Sequence, residues 1–362
     1  MQVHQLLAGA TPGDAITEYA LAIQKIFLAE GIPSDLYAPM EHVNARYARG
    51  TFRSAGALPR EASENDIVCY HYSIGSKASE NYRQTLCRKA LCYHNITPPR
   101  YFLACNSGQA EQLQAGRDSL PLLAAETHLA MAVSHYNARE LEEAGYKNVA
   151  VVPLLAERPG LFQHKPRAFT EFKDGKTNWL FVGRVVPNKR FEDIIRAFAW
   201  YHKTINPHSR LVLAGTHTGN ELYVTYLKSL LFNLELTEAV RLTGHIADGE
   251  LALCYQAASA FICLSEHEGF GLPLIEAMQF GVPVFALDRA AVAETLGGAG
   301  VCIETLDHRR IAELVHAVLR DPAKVVKIRE RQRERTQAFT RQALRDRLLE
   351  LFRQYFQLPA AV

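Results

Sequence analysis

Two glutamates, Glu268 and Glu276, stand with seven residues between them in the stretch FICLSEHEGFGLPLIEAMQFGVPVFALD, residues 261–288. One carboxylate falls in a loop and the other one turn into the helix that follows it. Alone, the spacing would be no more than a solvated helix face. Gly269 and Gly271 bracket Phe270 and allow a sharp turn with close backbone approach, Pro273 fits a helix start, and Gly281 fits its stop. The loop therefore ends on a helix N-terminus, whose amides and dipole favour an anion. A second cluster, Gly183-Arg184-Val185-Val186-Pro187-Asn188-Lys189, sets two cations five residues apart. Both can face one diphosphate.

These residues need scaffolding, and the sequence offers it. Apolar runs at 261–265 and 282–287 read as buried parallel strands flanking the helix, and 178–182 as the strand before the Arg184 loop. In the first half, strands are expected at 3–8, 34–38, 67–72, 90–94, 129–133 and 149–154, with helices at 15–30, 79–87, up to 123, and 137–144. Residues 41–60 are polar and ambiguous. In the second half, helices are expected at 191–202, 221–234 and 249–258, the last capped by Asp248. Strands are expected at 210–214 and 240–243, the segments 291–296, 301–304 and 311–319 complete the second domain, and residues 323–356 read as one long basic helical stretch. Strand and helix alternating in this way argue doubly wound parallel sheets, whose ligands sit at the carboxyl ends of strands.

The 362 residues suggest two domains, and 48% hydrophobic with 22% charged residues is an ordinary globular composition. A net charge of +2 and a pI near 8.1 give no footprint for a nucleic-acid partner. Seven cysteines without a C-x-x-C pair read as free thiols in a reducing compartment. The N-terminal MQVHQLLAGATPGD has no basic leader, and no stretch approaches the roughly 18 apolar residues of a membrane span, so a cytoplasmic protein is expected. There is no G-x-G-x-x-G after a strand, no H-E-x-x-H and no G-x-S-x-G; Gly175-Lys176-Thr177 mimics a P-loop end, but Thr170 stands where its first glycine belongs.

The Glu268-x7-Glu276 pattern with its inner Gly-Phe-Gly-Leu-Pro resembles the signature of retaining GT-B glycosyltransferases, most closely the nucleotide-sugar-dependent family 4. The resemblance implies an α/β, GT-B fold: two doubly wound, Rossmann-like parallel-sheet domains facing a cleft. Residues 1–156 would be the acceptor-side domain, 157–177 a linker, 178–338 the nucleotide-sugar domain, and 339–362 a helix and tail crossing back. It implies an enzyme that moves a sugar from a nucleoside-diphosphate sugar to an acceptor hydroxyl with retention, in cell-surface polysaccharide or glycoconjugate synthesis. Arg184 and Lys189, with the amides of Gly271 and Leu272, would neutralise the departing diphosphate. Glu268 would be catalytic, holding hydroxyls of the transferred sugar with Gly269 and Phe270, while Glu276 would hold the nucleotide ribose.

By the same resemblance, His94, after the fourth strand, would be catalytic beside the donor sugar, with His71 its rival for that place. Gly13 and Asp14 fall where the family has an acceptor-side glycine-rich loop, the usual second glycine being replaced by Asp14. No cofactor is implied beyond the substrate. No Asp-x-Asp motif is present, so metal-independent transfer is expected. The expected partners are the nucleotide sugar and a carbohydrate or lipid-linked acceptor. Cations between Lys324 and Arg347 read as a solvated helix or as a surface for peripheral attachment at the inner face of the membrane. Two other functions stay open: another GT-B reaction, such as glucan synthesis or nucleotide-sugar epimerisation, and a non-catalytic sugar-binding or scaffold subunit. Base, sugar, acceptor and oligomeric state leave no residue signature.

Overall fold

The apolar runs fold as the strands of two parallel sheets in the computed structural model, which describes residues 1–47, 50–157, 159–162, 172 and 174–358. The chain divides into two units, one of Met1–Arg100, Gly108–Leu155 and Phe339–Val362, the other of Tyr101–Ser107 and Ala156–Ala338.

The first unit is built on β1 (Val3–Leu7), β2 (Leu36–Ala38), β3 (Phe52–Ser54), β4 (Ile67–Tyr72), β5 (Arg88–Tyr93), β6 (Leu129–Ala132) and β7 (Val149–Val151), in the order β3-β2-β1-β4-β5-β6-β7. Every residue of β1 and β4 is buried, as a sheet covered on both faces requires. The chain winds outward from β1 to β3 and then returns to β4, so the strand order reverses between β1 and β4. At such a reversal the loops leave in opposite directions and open a crevice. After β1 comes the Gly13 turn, then helix Ala15–Ala29, started by Asp14 and stopped at Gly31, whose φ is +74°. Inside this unit, helix Arg341–Phe356 packs Phe352 on Phe27 at 4.9 Å, and Arg345 Nη2 pairs with Glu30 Oε1 at 2.6 Å.

The second unit carries β8 (Thr177–Val182), β9 (Ser209–Ala214), β10 (Val240–Gly244), β11 (Ala260–Cys263), β12 (Val284–Leu287) and β13 (Val301–Ile303), ordered β10-β9-β8-β11-β12-β13. Here the order reverses between β8 and β11. The loops that leave these two strands are the ones bearing Arg184 to Lys189 and Glu268 to Gly271. Trp179, Phe181, Phe191, Phe198 and Phe261 form the aromatic centre, with Phe181 edge-on to Phe191 at 5.0 Å.

Four expectations are corrected. The ambiguous 41–60 segment contains edge strand β3, with only Phe52 of its residues buried. Asp248 does not cap its helix; the helix starts on it, and Ala247 holds the cap position. The basic stretch 323–356 is two helices, Pro322–Thr336 and Arg341–Phe356, because Thr340 accepts from the amide of Ala343 and starts the second one. Within the expected linker 157–177 a short helix, Pro159–Phe162, stacks Phe162 on Phe280 at 4.7 Å; residues 158, 163–171 and 173 of that linker lie outside the described residues.

Candidate active site

At the mouth of β11, Leu264 and Ser265 are still fully buried, and the chain then turns outward through Glu266 to Gly271. Gly271 sits at φ +88° as the residue before helix Leu272–Gln279, where a Cβ would also meet Leu274 Cδ1 at 2.8 Å, so only glycine makes this turn without strain. No side chain caps the helix, and Pro273 is its second residue. The loop backbone is fixed from below: Ala291 N donates to Glu268 O at 3.2 Å, and Thr295 Oγ1 to Phe270 O at 2.5 Å. Phe270 itself is buried, anchoring the loop between its glycines.

The neighbouring loop after β8 begins with a close backbone approach. A Cβ on Gly215 would lie 1.8 Å from Gly183 O, so the ends of β8 and β9 converge only with glycine at that position. Arg184 is exposed, and among the described residues its guanidinium has no hydrogen-bond or ion-pair partner. The loop closes in a turn, Pro187–Lys189, and Arg190 at φ +55° leads into helix Phe191–Trp200.

The two loops are joined by consecutive residues. Buried Asn188 donates through Nδ2 to His267 O at 3.1 Å and accepts at its backbone oxygen from Glu266 N at 2.9 Å. Lys189 Nζ then meets Glu268 Oε2 at 2.6 Å, with the side chains 19% and 11% exposed. Being mostly shielded from water, this ion pair is stronger than a surface one. Below it, Asp193 receives Arg190 Nε at 2.6 Å and faces His308 Nε2 at 2.8 Å. Burial pushes the Asp193 carboxyl up, but the hydrogen bond with His308 and the Arg190 charge outweigh it and hold it below its ordinary value.

Glu276 turns inward. It is 2% exposed, and Tyr255 OH donates to its Oε2 at 2.8 Å, the Tyr255 ring lying flat on Phe280 at 5.1 Å. Thus the structure joins Glu268 to Lys189, leaves Arg184 open to solvent, and lodges Glu276 beside Tyr255. Asn188 and Tyr255 were not singled out from sequence; only the polarity of an asparagine after Pro187 could have marked the first.

In the first unit, Asp14 acts as a helix cap: its Oδ2 accepts from Thr17 N and Thr17 Oγ1, each at 2.9 Å. Gly13, at φ +78°, makes the turn before it. His94 follows β5 and is not an alternative to His71 but its partner, with Nε2 3.0 Å from His71 Nδ1 and the rings stacked at 5.3 Å. Burial pushes His94 down to about 3, and burial together with the neighbouring His94 pushes His71 well below the ordinary imidazole value.

Residues 163–338 match the family model described as Glycosyl transferases group 1. Among curated relatives, D-inositol 3-phosphate glycosyltransferase of Kineococcus radiotolerans is 31% identical over 199 residues, 50% of this chain and 45% of that protein. O-antigen chain mannosyltransferase B of Escherichia coli is 30% identical over 142 residues, 39% of this chain and 36% of that one. The chain thus spans less than half the length of these relatives. Among solved structures, Anabaena HepE with UDP-glucose superposes at TM-score 0.78 with 16% identity, covering 98% of this chain and 100% of that one. Sucrose-phosphate synthase of Thermosynechococcus elongatus gives 0.76 at 20% identity over 99% and 100%. At such identities the likeness concerns the fold, and the fold is GT-B: two parallel-sheet, Rossmann-like domains.

Proposed function

We propose that the protein is a retaining glycosyltransferase that moves a sugar from a nucleoside-diphosphate sugar to an acceptor hydroxyl. The observation that carries this reading is the Lys189–Glu268 pair, set where the strand order of the second sheet reverses and beside a glycine-started helix, within the residues that match the glycosyltransferase family. Arg184 and Lys189, with the amides of Gly271 and Leu272, take the diphosphate, while Gly269 and Phe270 face the sugar with Glu268. A phosphate oxygen reaching Lys189 competes with Glu268, and the freed carboxylate accepts sugar hydroxyls. One charge-assisted contact replaces another, so Lys189 is not left unpaired at either stage.

Glu276 is assigned to the nucleotide ribose. His94 is assigned to the donor sugar and the Gly13 turn to the acceptor, Asp14 acting by fixing that turn. The absence of an Asp-x-Asp motif supports transfer without a divalent metal. Retention supports attack from the leaving-group side, with Glu268 bound to hydroxyls rather than to the anomeric carbon. Among the described residues no helix is long and apolar enough to cross a membrane. We assign the enzyme to the cytoplasm, making cell-surface polysaccharide or glycoconjugate; for a lipid-linked acceptor, exposed Lys327, Arg331 and Arg333 would add attraction to an anionic leaflet. Similarity to the Mycobacterium tuberculosis glycogen synthase, 29% identical over 160 residues, keeps glucan synthesis as the second reading.

The test is a thermal-shift panel of nucleotide sugars, UDP-sugars first because HepE was solved with UDP-glucose. A donor at about 100 times its dissociation constant adds roughly 2.7 kcal/mol of stability. Turnover of the stabilising donor, in excess EDTA and with the product anomer determined, follows. A panel giving neither shift nor turnover would sink the enzyme reading; an inverted product or a strict metal requirement would sink the mechanism. Co-sedimentation with anionic vesicles at low and high salt decides the membrane part.

A further inference from the structure

Three polar side chains in the first unit form a chain of hydrogen bonds ending on His94. Gln5 Nε2 lies 3.5 Å from Val3 O, which turns its Oε1 toward His71 Nε2 at 3.0 Å. An amide oxygen can only accept, so His71 carries its proton on Nε2, and as a neutral imidazole it has a bare Nδ1. That Nδ1 is 3.0 Å from His94 Nε2. His94 must then be the donor, with its own proton on Nε2 and a lone pair on Nδ1. The His94 Nδ1 atom is buried and has no hydrogen-bond partner among the described residues. Tyr19 stands edge-on to both rings, at 6.1 Å from His71 and 5.6 Å from His94, and holds their planes. Burial keeps both imidazoles neutral near pH 7, so the placement of one proton decides what His94 offers.

We infer that Gln5 and His71 are positioning residues that lock His94 in the Nε2–H tautomer and hold its Nδ1 as a hydrogen-bond acceptor for a hydroxyl of the bound sugar. The identity of that hydroxyl rests on the glycosyltransferase reading; the tautomer does not. The opposite tautomer would bury an unmatched N–H, which is the costlier orphan. Cys92 stands near, the ligand atoms of His71, Cys92 and His94 lying within 4.8 Å of one another. A metal ion there would need a lone pair from both facing nitrogens, whereas the 3.0 Å between them holds a shared proton.

The test is a two-bond ¹H–¹⁵N correlation spectrum of the full-length, ¹⁵N-histidine-labelled protein without ligand, His94 being identified by its loss in His94→Gln. The expected spectrum has His71 and His94 both protonated on Nε2. His71→Asn puts an amide oxygen near the position of Nδ1 and should keep the His94 pattern; His71→Leu should give a mixture of tautomers. If the leucine variant does not fold, Gln5→Leu removes the first acceptor and should loosen both rings. With the nucleotide sugar turned over in the panel, His71→Leu should lower kcat about tenfold, the worth of one hydrogen bond, with little change in KM, and His71→Asn should restore most of it. A His94 protonated on Nδ1, a charged His94, stoichiometric zinc retained by the purified protein, or identical spectra for the leucine and asparagine variants would each overturn the inference. If no sugar is transferred at all, the glycosyltransferase reading fails while the spectra still decide the tautomer.

Discussion

Lys189 and Arg184 carry the same charge in one loop, yet the structure separates what each does before a ligand arrives. Lys189 is bound to Glu268 at 2.6 Å, while Arg184 is exposed. Replacing either by alanine should cost a charge-assisted contact worth about 1.5–3 kcal/mol, roughly ten- to a hundredfold in transfer or donor affinity. The ligand-free melting temperature should tell them apart: Lys189→Ala leaves Glu268 unpaired and lowers it, whereas Arg184→Ala does not. Kinetics unchanged in both would remove the diphosphate from this loop. Asn188 ties the Lys189 loop to the Glu268 loop, so Asn188→Ala should reduce kcat/KM for the donor without touching any ligand atom, and calorimetry should show the weakened donor binding. The charged members of the candidate site could be named from the sequence because cations and carboxylates stand at spacings that turns and helices can use. Asn188 and Tyr255 were not, since one hydrogen-bonded amide or phenol makes no pattern along the chain.

At the scale of elements, hydrophobic runs of the interior strands were read correctly because burial on both faces leaves no polar position to confuse them. What escaped were features decided by single caps or by edges. β3 has two exposed residues in three, and the tail is broken by Thr340 alone, with no glycine or proline to announce it. The charge run in that tail is also not free: Arg329 Nε donates to Gly281 O at 2.8 Å, and Arg335 donates to Thr295 O and Glu294 O at 3.0 and 2.8 Å. Helix Pro322–Thr336 is therefore stitched to the ends of the helices beside the candidate site, Leu272–Gln279 and Val292–Leu296. Gly297, at φ +54°, makes room for it, since a Cβ there would lie 2.6 Å from Arg335 Nε. Gly297→Ala should thus lower the unfolding free energy of the second unit by about 1 kcal/mol or more, read as a lower urea midpoint, from backbone strain and the displaced guanidinium together. Arg335→Met should do so by a similar amount. An unaltered midpoint in both would show that the stitching contributes nothing.

Across the whole molecule, buried histidines and carboxylates divide the pH range between the units. In the first unit, burial lowers His4, His71 and His94 below 6.5, their ordinary value, His94 to about 3. Below pH 6.5 the unfolded chain takes up protons that the folded unit refuses. Stability is therefore complete above about pH 6.5 and falls as pH drops, by about 1.4 kcal/mol per pH unit for each such histidine, until the folded values are reached. In the second unit Asp193 has the same sign but a lower pH window. Its carboxyl is held below 3.8, so its contribution persists above that pH and is lost only under stronger acid, while half-buried His202 is lowered by burial in the same direction as the histidines of the first unit. Both tryptophans, Trp179 and Trp200, belong to the second unit. Urea unfolding followed by tryptophan fluorescence thus reports that unit, and far-UV circular dichroism reports both. Between pH 7 and pH 5 the dichroism transition should gain an early phase that fluorescence lacks. His94→Gln and His71→Asn should each flatten the decline, because each removes one proton taken up on unfolding. Equal midpoints at pH 7 and pH 5, or variants as acid-sensitive as the parent, would mean that these imidazoles are protonated in the folded protein and that the hydrogen-bonded chain from Gln5 to His94 does not exist in solution.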